Sequence, residues 1–455
     1  MNEMKLSRLK NLMKNDCRTY FHFSVTAAKD PFKQCCTWPL PWAEEVAVVV
    51  LMDMKMSPAY FLWDHWPSKL EWAELQREDS PRKFTATYPV FQDVNTMVFV
   101  GFGFLATFLK RYGHSSIAFT MLLAAFALQW GTILEGLLFD FENSKIRISM
   151  ISIIHADLSA VSALVSMGAV LGNTSPVQLL LMTILEVTCF IVNKWLLKFL
   201  LEIDRKTSGM YLHLFGAFFG LIVSRLLYRP GLQKGHEKEG SFPISDLFSM
   251  IGTVFLWMFW PSFNAALLDT DRAKAVFNTY FALAACTVAT FAISIHIHSK
   301  GKIDVSHIRS ATLAGGVAVG LSASLIPSAY IAMIIGLIAG VISTLGLKYL
   351  KAKFELYLGL HDTCGVLYTH GLPGVIGGIV YIILLSVPSV SEDLQRKTLH
   401  AAYWETAMFI TLAMSILTGL ITGFILKLNI WKQPPDLKCY DDQAYWEFPH
   451  LATTI

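Results

Sequence analysis

Residues 329–346 read AYIAMIIGLIAGVISTLG, eighteen positions without one charged side chain. At 1.5 Å per residue such a helix reaches about 27 Å, close to the depth of a bilayer's hydrocarbon core. The run is too long for a strand and has no two-residue alternation, so it reads as a membrane-spanning helix. Comparable runs lie near 94–112, 116–138, 150–172, 176–201, 208–228, 245–268, 276–296, 306–326, 366–386 and 402–427, which makes eleven. The predicted fold is an all-α polytopic membrane protein. Composition agrees: of 455 residues 54% are apolar and 16% charged, against about 25% charged in a soluble domain. That excludes a soluble enzyme, a disordered chain and a nucleic-acid binder. The net charge of +3 comes with no basic tract for a polyanion.

The spans define a core domain over 86–430. Residues 1–85 differ: their best apolar stretch, Val46 to Trp63, carries Asp53 and Lys55 at its middle, each costing about 2.5–3.5 kcal/mol at a helix centre. It is a weak candidate for an additional span. Residues 431–455 read as a short polar and aromatic tail. The seven cysteines are scattered and lack metal-ligand spacing; Cys35-Cys36 reads as spare thiols, with palmitoylation the alternative. The polar start, Met1 to Lys14, predicts no cleavable signal peptide. Lys and Arg number ten in the loops on the C-terminal side and eight in the others, which predicts a cytoplasmic C-terminus. The sequon Asn173-Thr174-Ser175 then falls in a cytoplasmic loop and carries no glycan.

Eleven helices suggest two inverted repeats of five plus one, an arrangement that puts a transport path at the repeat interface. The fifth span contains Leu212-His213-Leu214-Phe215-Gly216 and the tenth Thr369-His370-Gly371-Leu372-Pro373-Gly374. Asp204 lies nine residues before His213, and Asp362 eight before His370. Eight helical residues rise about 12 Å, placing an acid near each mouth and a histidine toward the midplane. An ionisable side chain inside a membrane points to function, although helix packing or bis-histidine haem ligation would also use such residues. A neutral imidazole offers one donor and one acceptor nitrogen, so two facing rings can share one hydrogen bond and offer the rest to ammonia or water.

Glycines near both histidines, and the run Ala311–Gly320, suit either close helix packing or a pore. The run Phe255 to Asn264 reads as lipid or core packing, with Phe263 as a pore constriction in the alternative. Asp157 must pair or line water; the preferred role is a cap on a neighbouring broken helix. Glu135 and Glu186 are expected to make structural hydrogen bonds. No catalytic group, cofactor or metal is called for.

These strings, together with Phe91-Gln92-Asp93-Val94, Gly101 to Leu105, Leu128-Gln129-Trp130 and Asp362-Thr363-Cys364-Gly365, resemble the ammonium transporter/Rhesus superfamily over Tyr88 to Pro449. Leu325 to Ser328, Ile430-Trp431-Lys432 and Asp441 to Leu451 are most similar to the Rh blood-group branch, here with both pore histidines retained. The resemblance implies a trimer with one pore per protomer, passing ammonia derived from ammonium without catalysing a reaction, with carbon dioxide as a further permeant. His213 and His370 would be the pore pair, Phe263 a gate ring and Asp362 a vestibule acid. The other gate phenylalanine falls at Leu158, and Asp204 is one residue out of register as the first vestibule acid. The rival implication is a non-conducting subunit that holds an Rh-associated glycoprotein and reaches the membrane skeleton through ankyrin. The branch also carries a helix ahead of the eleven, which residues 1–85 supply poorly.

Overall fold

The computed structural model describes residues 81–142, 145–146, 148–229, 236–386 and 394–448. All lie in one compact unit, Glu71–Ile455. The candidate span Val46 to Trp63 and Cys17, Cys35 and Cys36 lie outside the described residues. Among those described, ten helices are long and apolar enough to cross a membrane: α1 (Phe84–Phe108), α2 (Gly113–Phe139), α3 (Met150–Val170), α4 (Pro176–Leu201), α5 (Arg205–Leu227), α6 (Pro243–Ala265), α7 (Arg272–Ile297), α10 (Ala329–Leu358), α11 (Leu367–Ser386) and α12 (Ala401–Leu426).

The eighth predicted span, 306–326, is not continuous. It is two short helices, α8 (Val305–Ala311) and α9 (Ala314–Gly320), followed by turns. Its glycines explain both the break and its position. A Cβ on Gly316 would lie 2.8 Å from the Trp260 ring, and one on Gly315 would lie 2.7 Å from the Ala282 carbonyl oxygen. The segment trades helix propensity for close approach. The Cys286 thiol spans the break, donating to the Ala311 carbonyl at 3.0 Å while the Gly315 N–H donates to its sulfur at 3.2 Å.

Burial sorts the remaining helices. α3 is 83% buried over its apolar window and α5 72%, whereas α6 is 28% and α7 33%. A helix apolar on all sides belongs inside; one whose outward face is apolar too meets lipid or another chain. α3 and α5 cross closely, because Gly216 and Gly220 rest on Ser162 and Ser166.

The tail ties together the loops of one face. The N–H of Tyr440 donates to the Gly172 carbonyl (2.8 Å) and that of Asp442 to the Arg111 carbonyl (2.6 Å). The Asp442 carboxylate accepts from the N–H groups of His114 (3.0 Å) and Ser115 (2.8 Å), capping α2. Arg229 pairs with Asp436 at 2.8 Å, and Lys238 with Asp441 at 2.7 Å. Loops near 110, 173, 230 and 360 thus share a face with the C-terminus, the alternation that the lysine and arginine count requires. Asn173 is buried beneath this tail. On the opposite face Arg205 meets Asp140 at 2.7 Å and Lys206 pairs with Asp269.

Candidate functional site: a twin-histidine pore

His213 sits in the first half of α5, entering from the opposite face; His370 sits at the start of α11, entering from the tail face. The turn Leu367–Gly371 is a π-turn, one residue wider than an α-turn; such bulges concentrate at functional sites. The two rings meet at the centre with centroids 5.1 Å apart and planes at 20°. They are stacked and share no hydrogen bond, so the expected ring-to-ring bond is not made. Both nitrogens of His213 and Nδ1 of His370 have no hydrogen-bond partner among the described residues, and each residue is only 3% exposed.

Aromatic rings continue the stack on both sides. Phe263 lies 6.0 Å from His213, Trp260 5.5 Å from His213 and 6.4 Å from His370, and Phe102 6.2 Å from His370. Phe102 and Trp260 were not singled out in the sequence; Trp260 lay inside the aromatic run with no sign of which ring would turn inward. Below His370 is a cavity of about 40 Å³ lined by Phe102, Leu164, Val366 and His370. About 10–15 Å³ admits one water-sized molecule, so ammonia fits.

Leu158 is fully buried in the main core and approaches Gly209, four residues before His213. It therefore lies on the opposite-face side of the pair, as does Phe263, whose own ring neighbours are His213 and Trp260.

Among the described residues, two of the three acids cap helices, and the third makes no cap. Asp362 is 3% exposed, and its carboxylate accepts from the N–H groups of Gly365 (2.9 Å), Val366 (2.9 Å) and Leu367 (3.0 Å). It caps the helix that carries His370, with its charge on the positive end of that helix. Asp204 is exposed and caps α5 through the Lys206 N–H at 3.1 Å. Both histidine helices therefore begin with an aspartate cap, one enclosed and one open. Asp157 is fully buried, and neither carboxylate oxygen has a partner among the described residues; the expected cap on a broken helix is not made by them.

The structural acids behave as read. Glu186 accepts from Ser162 (3.0 Å) and from Ser166. Glu135 pairs with Lys194, both with fully buried side chains, so α2 and α4 are clamped by an enclosed ion pair. Lys194 went unnoticed in its span because only tertiary packing supplies its partner. Among the described residues no group of three or more His, Cys, Asp or Glu is placed to hold a metal ion.

Ten long apolar helices packed around a buried histidine pair define a multi-pass membrane protein. Residues 71–445 match the model of the Ammonium Transporter Family, and the chain belongs to that family, one of membrane transport proteins. It is 49% identical to the ammonium transporter Rh type A of Bos taurus (84% of this chain, 88% of the relative). It is 45% identical to the Rh type B protein of Xenopus tropicalis (85% and 88%). Among solved structures it is similar to Rh50 of Nitrosomonas europaea, described with the conduction mechanism of Rhesus channels, with TM-score 0.71, 31% identity, and 82% and 95% coverage.

Proposed function

We propose that the protein is a passive channel that takes ammonium at its mouths and passes neutral ammonia between His213 and His370. The observation that carries this reading is the set of three unpartnered imidazole nitrogens inside an apolar aromatic sleeve. A buried polar atom without a partner needs an explanation, and a small hydrogen-bonding guest supplies one. The sleeve selects against charge: moving an ammonium-sized ion into a dry interior costs on the order of 20 kcal/mol in the idealised limit, whereas a neutral amine forfeits only a few hydrogen bonds. Phe263 and Leu158 bound the path toward the opposite face, while Asp362 and Asp204 orient the two histidine helices. Asp157 lies buried behind them. Carbon dioxide, small and apolar, is a further permeant suited to the same sleeve.

Residues 86–430 form the transporting domain, and 431–455 a tail on the cytoplasmic side of the plasma membrane; the basic excess on the tail face supports that orientation. The apolar outward faces of α6 and α7 suit a trimer, either of identical chains or with an Rh-associated glycoprotein. The second reading is a non-conducting subunit joined to such a glycoprotein and, through ankyrin, to the membrane skeleton. The observation favouring it is that the rings of Trp260 and Phe263 crowd His213, with centroids 5.5 and 6.0 Å away. Stopped-flow recording of internal pH in proteoliposomes after an ammonia pulse separates the two. Conduction predicts a faster rise than in empty liposomes; an equal rise for folded protein leaves the subunit reading.

A further inference from the structure

Two cavities lie in series between His370 and the tail face. The first is the apolar pocket of about 40 Å³ beneath His370. The second, about 420 Å³, lies at the tail face among Glu239, Asp246, His298 and Asp304. Phe108 and Arg309 line both, so these two side chains are the partition between them. The Arg309 guanidinium stacks 3.7 Å above the Phe108 ring. Its nearest carboxylate, Asp246, is 3.8 Å away, beyond hydrogen-bond distance. Among the described residues Arg309 makes no side-chain hydrogen bond, although its side chain is only 8% exposed and a guanidinium carries five N–H donors. A buried cation is ordinarily paired and hydrogen-bonded; this one has only the longer ion pair with Asp246 and lies over the Phe108 ring between the two cavities.

We propose that Arg309, stacked on Phe108, is the inner gate of the channel and the residue that bars cations from entering at the tail face. This rests on the conduction reading above. The carboxylates of Glu239, Asp246 and Asp304 draw cations into the outer cavity. The fixed positive charge at its floor then opposes any ion that advances, the electrostatic device by which pores reject cations. Neutral ammonia feels no such barrier. It passes when the guanidinium slides off the ring toward Asp246, and the proton shed by ammonium returns through the outer cavity to the solvent of the tail face.

The test uses the full chain in proteoliposomes, with ammonia permeability read as internal pH and ion leakage read as current on solid-supported membranes after ammonium chloride or potassium chloride jumps. Wild type gives permeability without current. Arg309→Gln gives an ammonium or potassium current about tenfold above wild type, as expected for removal of a modest electrostatic barrier. Phe108→Ala raises ammonia permeability and stays currentless. Arg309→Lys keeps exclusion, because the charge remains. Folding is checked by the melting profile in detergent, and if Arg309→Gln fails to fold, Phe108→Ala and Arg309→Lys decide. Folded variants indistinguishable from wild type in both readouts overturn the proposal. Wild type no faster than empty liposomes fails the conduction reading instead. In that case permeability gained in Phe108→Ala or Arg309→Gln still supports the gate, and no gain overturns it.

Discussion

His213 and His370 present their rings to one another as a parallel stack, 5.1 Å between centroids, although they are carried by helices that enter from opposite membrane faces. The stack needs both backbones at one depth, and the walls around it hold them there.

Trp260 is fully buried, stacks on His213 and presses on Gly316 of the broken helix pair. Trp260→Ala should cost about 3–5 kcal/mol, as expected for a large aromatic deleted from a core. Trp260→Phe should cost less. Thermal unfolding in detergent reads both, and equal midpoints for Trp260→Ala and wild type would remove the wall from the account.

Gly216 and Gly374 separate close approach from mere proximity. A Cβ on Gly216 would sit 2.5 Å from the Ser162 carbonyl oxygen, whereas one on Gly374 meets its nearest atom at 3.4 Å. Gly216→Ala should therefore destabilise by about 1–3 kcal/mol through overpacking of the α3–α5 crossing. Gly374→Ala should be near neutral. The same unfolding assay compares them, and the reverse order would refute the packing argument.

Asp362→Ala leaves three N–H groups of the His370 helix without their acceptor. An unsatisfied buried donor costs about 1–3 kcal/mol. Faster amide exchange should appear at Gly365 to Leu367 before the rest of the bundle loosens. Unchanged protection there would mean that the cap does not hold the helix.

His361, in the loop before α11, should make tail docking pH-dependent. Burial alone would lower its pKa, but hydrogen bonds and charge from Glu239 and Glu355 prevail and lift it to about 9. The same contact holds the Glu239 carboxyl below its usual range against the opposing effect of burial. The His361 contribution is full below the unfolded value of about 6.5 and is lost as pH rises through about 9. Unfolding midpoints should thus fall across that window in wild type and stay flatter in His361→Gln. A parallel pair of curves would contradict the linkage.

Much of the fold was legible because apolar runs in a membrane protein must be helices, and the run at 329–346 is uninterrupted in both sequence and structure. The break at Thr312–Leu313 was not legible: glycine and alanine keep a window apolar while packing, not hydropathy, decides whether the helix continues. The histidine pair was found by matching the two repeats. The capping by Asp204 and Asp362 was not legible, because an aspartate eight or nine residues upstream reads the same as a mouth residue or a helix cap. Ring orientation at the pair depends on rotamers, and the partition by Phe108 and Arg309 depends on which cavities a distant loop encloses. Neither leaves a trace in spacing.

The most direct test of the central claim is ammonia permeability of the folded His213→Ala/His370→Ala protein beside wild type, recorded as the rate of internal pH rise in proteoliposomes. The account predicts a wild-type rate above that of empty liposomes and a clearly altered rate in the double variant. A double variant that matches a conducting wild type would show that ammonia does not pass along the edges of these two rings.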